Sequence, residues 1–116
     1  MLEEGTISDI NIRDSSNHDW TALMYQARHG TVASMESLLA HKPPALPNLQ
    51  DRDGDTALHV AVYRGDDPAK VRLLMDFGAE KTIRNNKGRT ALDIAREYNH
   101  TECIEVLESY TPKLRG

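Results

Sequence analysis

The chain has 116 residues, a formal net charge of −4, and 28% charged and 39% apolar residues, which fits one folded domain with a modest aliphatic core. Its acidic balance, without a run of Lys or Arg, argues against binding to nucleic acid or to an anionic membrane. No stretch is long and apolar enough to cross a bilayer, and no secretory signal is expected. The single cysteine, Cys103, excludes an internal disulfide and favours a reducing compartment, the cytoplasm or the nucleus.

Three copies of the letters TAL organise the chain. They begin at Thr21, Thr56 and Thr90, so their spacings are 35 and 34 residues. Nine positions further on, each copy has a residue type that tolerates a left-handed backbone, which predicts that a short helix ends there. These residues are Gly30, Gly65 and Asn99. Each copy therefore starts with a predicted helix of about eight or nine residues.

A second amphipathic helix is predicted in each unit, in chain order within VASMESLLA, AKVRLLMD and TECIEVLES. The proline-rich segment HKPPALPN ends the first of them and stiffens an enlarged loop, and Pro68 is expected in the first turn of the second. The segment before the first unit is interpreted as an N-terminal extension or as the end of a truncated preceding repeat. The predicted boundaries are 1–14 for that segment, 15–110 for the repeat domain, about 15–49, 50–82 and 83–110 for its repeats, and 111–116 for a C-terminal tail.

Neither helix of a unit is long enough to be stable alone, so the pairs are predicted to stack and to bury a shared core. Three small residues are predicted to let helices approach closely, namely Ala27, Ala61 and Ala95. Gln26 stands at a position where a small residue is usual and needs a hydrogen-bond partner. The predicted core positions are Leu23, Leu58 and Leu92 in the first helices and Met35, Leu38, Val71, Leu74, Ile104 and Leu107 in the second.

The phrase TALHVA that begins at Thr56, and the repeat length of 34 to 35 residues, resemble the ankyrin repeat. The segment LLMDFGAE and the turn glycine Gly88 fit the same pattern, and the resemblance covers roughly residues 15–110. It implies an all-α fold, an ankyrin-repeat solenoid of three stacked helix pairs joined by β-hairpin-like turns. It also implies a hydrogen bond between His59 and Thr56, which Met24 and Asp93 cannot reproduce in the other units.

The resemblance further implies that the hairpin tips and the exposed side of the first helices form a concave binding face. Trp, Tyr and Arg often dominate binding energy at interfaces, and Trp20, Tyr63 and Tyr98 are expected at equivalent exposed positions there. Their alternative is a structural role, with Trp20 folded over the first helix pair. The arginines are expected to steer acidic groups of a ligand. The candidate partner-binding residues are Trp20, Arg28, His29, Arg52, Asp53, Asp55, Tyr63, Arg64, Asn86, Lys87, Arg89, Glu97 and Tyr98.

These features predict a non-catalytic protein–protein interaction module, a scaffold or adaptor that is a monomer on its own and binds a segment of another protein without a cofactor. The alternative is a structural spacer or an internal part of a larger ankyrin array. A small enzyme or a metal protein is least favoured. Asp51, Asp53 and Asp55 alternate as in a calcium loop, but Val62 stands where a bidentate Glu is required. Cys103 is expected to be buried and inert, and no catalytic or metal-binding residue is predicted.

Overall fold

Six α-helices in three pairs make up the described part of the protein in a computed structural model, which covers residues 11, 13–16, 18–41, 45–64 and 67–110. The predicted all-α solenoid of three stacked helix pairs is therefore confirmed. The helix α5 has seven residues, slightly fewer than predicted. The predicted tail at 111–116 and most of the predicted segment 1–14 lie outside the described residues. The helices are α1 (Ala22–His29), α2 (Val32–Leu39), α3 (Ala57–Arg64), α4 (Pro68–Asp76), α5 (Ala91–Glu97) and α6 (Thr101–Ser109).

The threonine of each TAL phrase precedes the first helix of its repeat. The hydroxyl of Thr21 accepts a hydrogen bond from the backbone N–H of Met24, and Thr90 and Asp93 cap each other reciprocally. Such side-chain acceptors satisfy backbone N–H groups that have no partner inside the helix. The Asp93 carboxylate lies 3.0 Å from the backbone nitrogen of Thr90 and accepts its hydrogen bond. Asp93 therefore provides in the third repeat the acceptor that was predicted only for His59 in the middle repeat.

His59 joins the middle repeat to the third. Its Nδ1 lies 3.0 Å from the backbone nitrogen of Thr56 and 2.9 Å from the Thr56 hydroxyl, as the resemblance implied. Its Nε2 lies 3.0 Å from the backbone carbonyl of Arg89 in the next repeat. A neutral imidazole that accepts at Nδ1 and donates at Nε2 satisfies both contacts. The ring is buried, so it fixes the spacing of two repeats from inside the stack.

The hairpins between helix pairs stack through backbone hydrogen bonds. Within the second hairpin the N–H of Asp51 donates to the carbonyl of Asp55 at 2.8 Å, and between hairpins Asn86 donates to Asp53 at 2.9 Å. Gly54 has φ +82° and a Cβ there would lie 2.7 Å from the backbone nitrogen of Asn86. Glycine is therefore required both by the turn and by the close approach of the next hairpin.

The buried core confirms six of the nine predicted positions, Leu23, Met35, Leu58, Val71, Leu74 and Leu107, and the three small residues Ala27, Ala61 and Ala95. Leu38, Leu92 and Ile104 are only half-buried and pack against the edge of the core. Leu38 lies in the first repeat, and Leu92 and Ile104 lie in the third. Their side chains are on faces that no other described repeat covers. The expected burial of Cys103 is also confirmed, and buried residues that were not predicted include Met24, Leu39, Met75, Ile94 and Val106.

The turn inside the first repeat differs from the prediction. Gly30 has φ −98° and ψ −160°, which is extended backbone and not the left-handed conformation expected there. A Cβ at this position would meet the side chains of Gln26 and Ser34, which would have to shift to accommodate it. The Ser34 hydroxyl donates to Gln26 Oε1 at 2.8 Å, which confirms that Gln26 has a partner. Asn99 does adopt a left-handed conformation, with φ 58°, and Gly65 lies outside the described residues.

Two lysines connect neighbouring repeats at helix ends. Lys70 is buried, and its Nζ donates to the carbonyl of Ala27 in the last turn of α1 at 3.1 Å. Lys81 donates to the carbonyl of Leu107 near the end of α6 at 2.8 Å. Cations are favourable at helix C-termini, where backbone carbonyls lack partners. Each lysine therefore stabilises the helix end of an adjacent repeat.

Candidate protein-binding groove

In the second and third hairpins, the side chain of the first residue makes hydrogen bonds within its own hairpin and to the preceding repeat. Asp51 Oδ1 accepts from the backbone N–H groups of Asp53 and Asp55 at 2.8 and 2.9 Å. In the third repeat Asn85 Oδ1 accepts in the same way from Lys87 and Arg89, at 2.9 and 3.0 Å. These residues keep the tips rigid, so the side chains that project from the tips have fixed positions.

Trp20 is tied to the second hairpin. Its indole Nε1 donates to Asp51 Oδ2 at 2.9 Å, and its ring meets that of Tyr25 edge-on at a centroid distance of 6.0 Å. The ring is half-buried and packs against the core, whereas the sequence argument placed it at an exposed position. This correction follows from the hydrogen bond to Asp51, which draws the indole down between two repeats.

Tyr63 and Tyr98 lie side by side. Their ring centroids are 5.9 Å apart, and Tyr98 also meets the ring of His100 edge-on at 5.7 Å. Tyr98 is 47% exposed, as predicted, but Tyr63 is half-buried because repeats cover it on both sides. Burial, together with the nearby carboxylate of Asp55, raises the pKa of Tyr63. The Tyr63 phenol therefore stays neutral at physiological pH, and each of the two side chains offers an aromatic face with a hydroxyl group.

These side chains line a groove of about 320 Å³ across the hairpin tips and the first helices, which we call the central groove. A smaller one of about 180 Å³, the adjoining groove, shares three of its lining residues and continues toward the third hairpin. The central groove is lined by His18, Trp20, Arg28, Asp51, Asp53, Asp55, Val60, Tyr63 and Tyr98. The adjoining groove is lined by Asp53, Asp55, Tyr63, Asn85, Asn86 and Lys87.

Two of the four predicted arginines, Arg52 and Arg89, are engaged in ion pairs. Arg89 pairs with Glu97, and Arg52 Nε lies 3.5 Å from Asp19 Oδ2 while its Nη2 donates to the carbonyl of Ser15. The charges of Arg52 and Arg89 are thus compensated within the protein. The side chain of Arg64 lies outside the described part of the structure. Arg28 lines the central groove.

The other predicted residues separate into groove, hairpin and distant positions. Asp53 and Lys87 are exposed and line the grooves, whereas Asn86 contributes to the hairpin stack through its amide, which donates to the Arg52 carbonyl at 3.0 Å. Asp55 is buried and accepts from Asn85 Nδ2 at 2.9 Å. Its predicted free surface position is therefore wrong, because it joins two hairpins. His29 packs on Tyr25 at 5.0 Å and does not line either groove.

His18, Val60 and Asp51 also line the central groove, although they were not predicted as site residues. Val60 belongs to the TAL-containing helix, so helical periodicity could have placed it on the same side as Tyr63. His18 and Asp19 have positive φ values of 56° and 62°, which residues other than glycine rarely adopt. The first hairpin is longer than the other two, and histidine and aspartate are among the residue types enriched at positive φ, so their types are a signal that could have found this turn.

The three carboxylates of the second hairpin make the groove acidic. Asp51, Asp53 and Asp55 can each place one oxygen within 4.8 Å of the others. Burial raises the pKa of Asp55, although the hydrogen bond from Asn85 opposes this shift. Both oxygens of Asp51 already accept protein hydrogen bonds. The arrangement therefore serves the hairpin first, and a metal site is not needed to explain it.

The chain belongs to the ankyrin-repeat family. A family model described as ankyrin repeats in three copies matches residues 1–85 and 38–114. The crystal structure of EF0377, an ankyrin repeat protein, superimposes with a TM-score of 0.74 at 32% sequence identity, over 84% of this chain and 52% of that chain. Ankyrin repeats are generally protein–protein interaction modules and are generally not enzymes.

Two curated relatives are similar to most of this chain. The chain is 30% identical over 108 residues to alpha-latrotoxin-Lg1a of Latrodectus geometricus, which is 91% of this chain and 8% of the toxin. It is 33% identical over 85 residues to NF-kappa-B inhibitor epsilon of Homo sapiens, which is 73% of this chain and 17% of the inhibitor. The chain therefore spans a small part of the length of these relatives. None of its described helices is long and apolar enough to cross a membrane.

Proposed function

We propose that this protein is a non-catalytic interaction module that binds an extended segment of another protein in the central groove. The observation that carries the proposal is that aromatic side chains from all three repeats, Trp20, Tyr63 and Tyr98, line one continuous groove. Rigid aromatic side chains give large contact areas at a low entropic cost, which is typical of protein-binding surfaces.

The shape of the groove favours a peptide-like ligand. The two grooves meet at Asp53, Asp55 and Tyr63 and together extend from the first hairpin to the third. The hairpin stack is held by backbone and side-chain hydrogen bonds, so the surface is preorganised and loses little freedom on binding. The proposed location is the cytoplasm or the nucleus, which a single buried thiol at Cys103 favours.

The alternative of a place within a larger ankyrin array is supported by a specific observation. The matched region is only 8% of alpha-latrotoxin-Lg1a and 17% of NF-kappa-B inhibitor epsilon, so related repeats occur within longer proteins. In that case the stack would hold neighbouring repeats in position, and variants of the groove would change no binding event.

The test is a comparison of groove variants against a partner identified by photo-crosslinking from position 98. Tyr98→Ala should reduce binding by about 1 to 4 kcal/mol, because Tyr98 is exposed and its removal leaves the helix pairs intact. Glu105→Ala, an exposed position on α6, is the matched control and should change neither affinity nor melting temperature. Trp20→Ala is less informative, because it also removes the hydrogen bond to Asp51.

The proposal is wrong if the captured partner binds Tyr98→Ala and Tyr63→Ala as tightly as the unmodified chain. Loss of binding that follows loss of folding, measured by circular dichroism on the same samples, would also count against it. A chain whose crosslinker at position 98 captures no partner would support the array alternative.

A further inference from the structure

The chemistry of the central groove specifies more than a protein ligand. Three carboxylates lie in or under it, from Asp51, Asp53 and Asp55, while Arg28 is the one Lys or Arg residue in its lining. The neighbouring pairs Arg89–Glu97 and Arg52–Asp19 are each compensated. The groove therefore has an excess of negative charge, which is the opposite of the sequence expectation that arginines would steer acidic groups.

Asp53 is the carboxylate that a ligand can reach. It is exposed and lies where the two grooves meet. Its backbone N–H and carbonyl are engaged in the hairpin, but within the described residues its carboxylate oxygens accept no hydrogen bond. Asp51 and Asp55, in contrast, use their oxygens to hold the tips. An available acceptor thus stands beside two fixed negative charges.

Aromatic rings complete the environment. Tyr63 shares both grooves with Asp53, and Tyr98 stands 5.9 Å from it between ring centroids. The face of an aromatic ring attracts a cation, and a guanidinium group stacks on it particularly well. Carboxylates close to aromatic faces are therefore a combination that favours a positively charged side chain over a neutral or an acidic one.

We propose that the central groove selects protein segments with a basic side chain, arginine or lysine, which packs on Tyr63 and pairs with Asp53. This inference rests on the proposed function, because it identifies the chemistry of the segment that occupies the same groove. Lys87 lines the adjoining groove and restricts the sequence of that segment, since a second basic residue placed next to Lys87 would be repelled.

The test uses a displayed library of random twelve-residue peptides as the probe. Peptides selected on the intact chain should be enriched in Arg or Lys, and backbone amide resonances of Tyr63 and Asp53 should shift on titration with a selected peptide. Asp53→Asn should weaken binding by about 1.4-fold to fivefold, the range of an exposed ion pair. Glu105→Gln is the matched control, an exposed carboxylate elsewhere, and should leave affinity unchanged.

A charge reversal gives an effect of the opposite sign. Lys87→Glu adds negative charge to the adjoining groove and should tighten binding of the same peptide, and raising the salt concentration should reduce the difference. Melting temperatures of all variants show whether the folded state is retained.

Each result decides between the two proposals. Selected peptides that shift groove resonances but are neutral or acidic would overturn the basic-segment inference and leave the groove function intact. Peptides whose shifts lie outside the groove, or a library that yields no binder, would contradict both proposals. Basic peptides that bind equally well to Asp53→Asn would show that Asp53 is not the pairing group and would overturn the inference as stated.

Discussion

The two ends of the helix stack expose different chemistry. At the N-terminal end Ala22 and Tyr25 are exposed, although their equivalents in the middle repeat, Ala57 and Val60, are 1% and 4% exposed. At the C-terminal end Arg96 is exposed where the middle repeat buries Val62. One end thus keeps apolar residues on its open face, and the other has a charged one.

The charged C-terminal end of the stack contains an ion pair and a capped helix start. Arg96 pairs with Glu108, which stands where the second repeat has Met75, and Asp93 replaces His59 while still capping its helix. A terminal repeat needs a polar outer face to remain in water. Burial therefore depends on a residue's place in the stack as much as on its type, since one repeat pattern gives a core residue or a surface residue according to its neighbours.

The largest expected difference is between equivalent leucines of the middle and third repeats. Leu58→Ala should cost about 2 to 5 kcal/mol of unfolding free energy, because Leu58 is fully buried. Leu92→Ala should cost about half as much, because Leu92 is half-buried. Urea unfolding followed by circular dichroism measures both, with the exposed Leu46→Ala as control. Equal losses would show that Leu92 is not at an open end.

A smaller difference in stability is expected between variants of His59 and Asp93, the equivalent residues that bond to the threonine at the start of their helices. His59→Ala should cost about 1 to 3 kcal/mol, because it removes a buried group that bonds to Thr56 and to the Arg89 carbonyl. Asp93→Ala loses only a cap and should cost about 0.5 to 2 kcal/mol. Hydrogen exchange should also become faster in α5 after His59→Ala, since the bridge between repeats is lost. A greater loss from Asp93→Ala would contradict this order.

Replacing the charged end by the residues of the middle repeat should barely change stability. Arg96→Val combined with Glu108→Met removes an exposed ion pair, and such pairs contribute about 0 to 1 kcal/mol. The new apolar surface should instead promote self-association. Sedimentation velocity over a concentration series measures it, and Glu105→Met provides an apolar control away from the pair. If the double variant associates no more than this control, the charges are not needed to keep that end in water.

The smallest expected effect is a change in how stability depends on pH. Burial raises the pKa of Asp55 above its ordinary 3.8, so the folded protein holds a proton that the unfolded chain releases, and unfolding free energy falls as pH rises from 3.8 through the folded pKa. Hydrogen bonds from Thr90 lower the pKa of Asp93 below 3.8, so its contribution is present above 3.8 and is lost as pH falls through the folded pKa.

Asp55→Asn should therefore flatten the stability profile above pH 3.8, and Asp93→Asn should flatten it below that value. Denaturant titrations at a series of pH values measure the two slopes separately. Unchanged slopes in both variants would show that other carboxylates control the acid response.

The fold could be predicted from the sequence because three registered TAL phrases constrain every repeat. Helix periodicity located the interior positions Leu58, Val71 and Leu74 correctly. It did not distinguish Leu38, Leu92 and Ile104 from fully buried positions, because they are residue types typical of a core. Their half-burial depends on their place in the stack. The same limit explains the omission of Met24 and Met75, which are buried because the next repeat covers them.

The site was predicted in outline but not in its internal contacts. Hairpin tips and first helices do line the two adjoining grooves, and eleven of the twelve distinct lining residues, all but Val60, are polar or aromatic. Contacts between repeats determine which of these side chains are available to a ligand. Asp55 is bonded to Asn85, and Trp20 is bonded to Asp51. Such pairs are about 30 residues apart, as the separations of 30 and 31 show, so local sequence patterns cannot reveal them.

The hydrogen bond from Trp20 to Asp51 has a spectroscopic consequence. Trp20 is the single tryptophan of the chain, and its indole is half-buried at the joint between the first and second repeats. Its fluorescence emission therefore reports on that joint alone, whereas circular dichroism averages over all six helices. If the first repeat detaches before the others unfold, the emission maximum shifts toward longer wavelength while the helical signal is still largely retained.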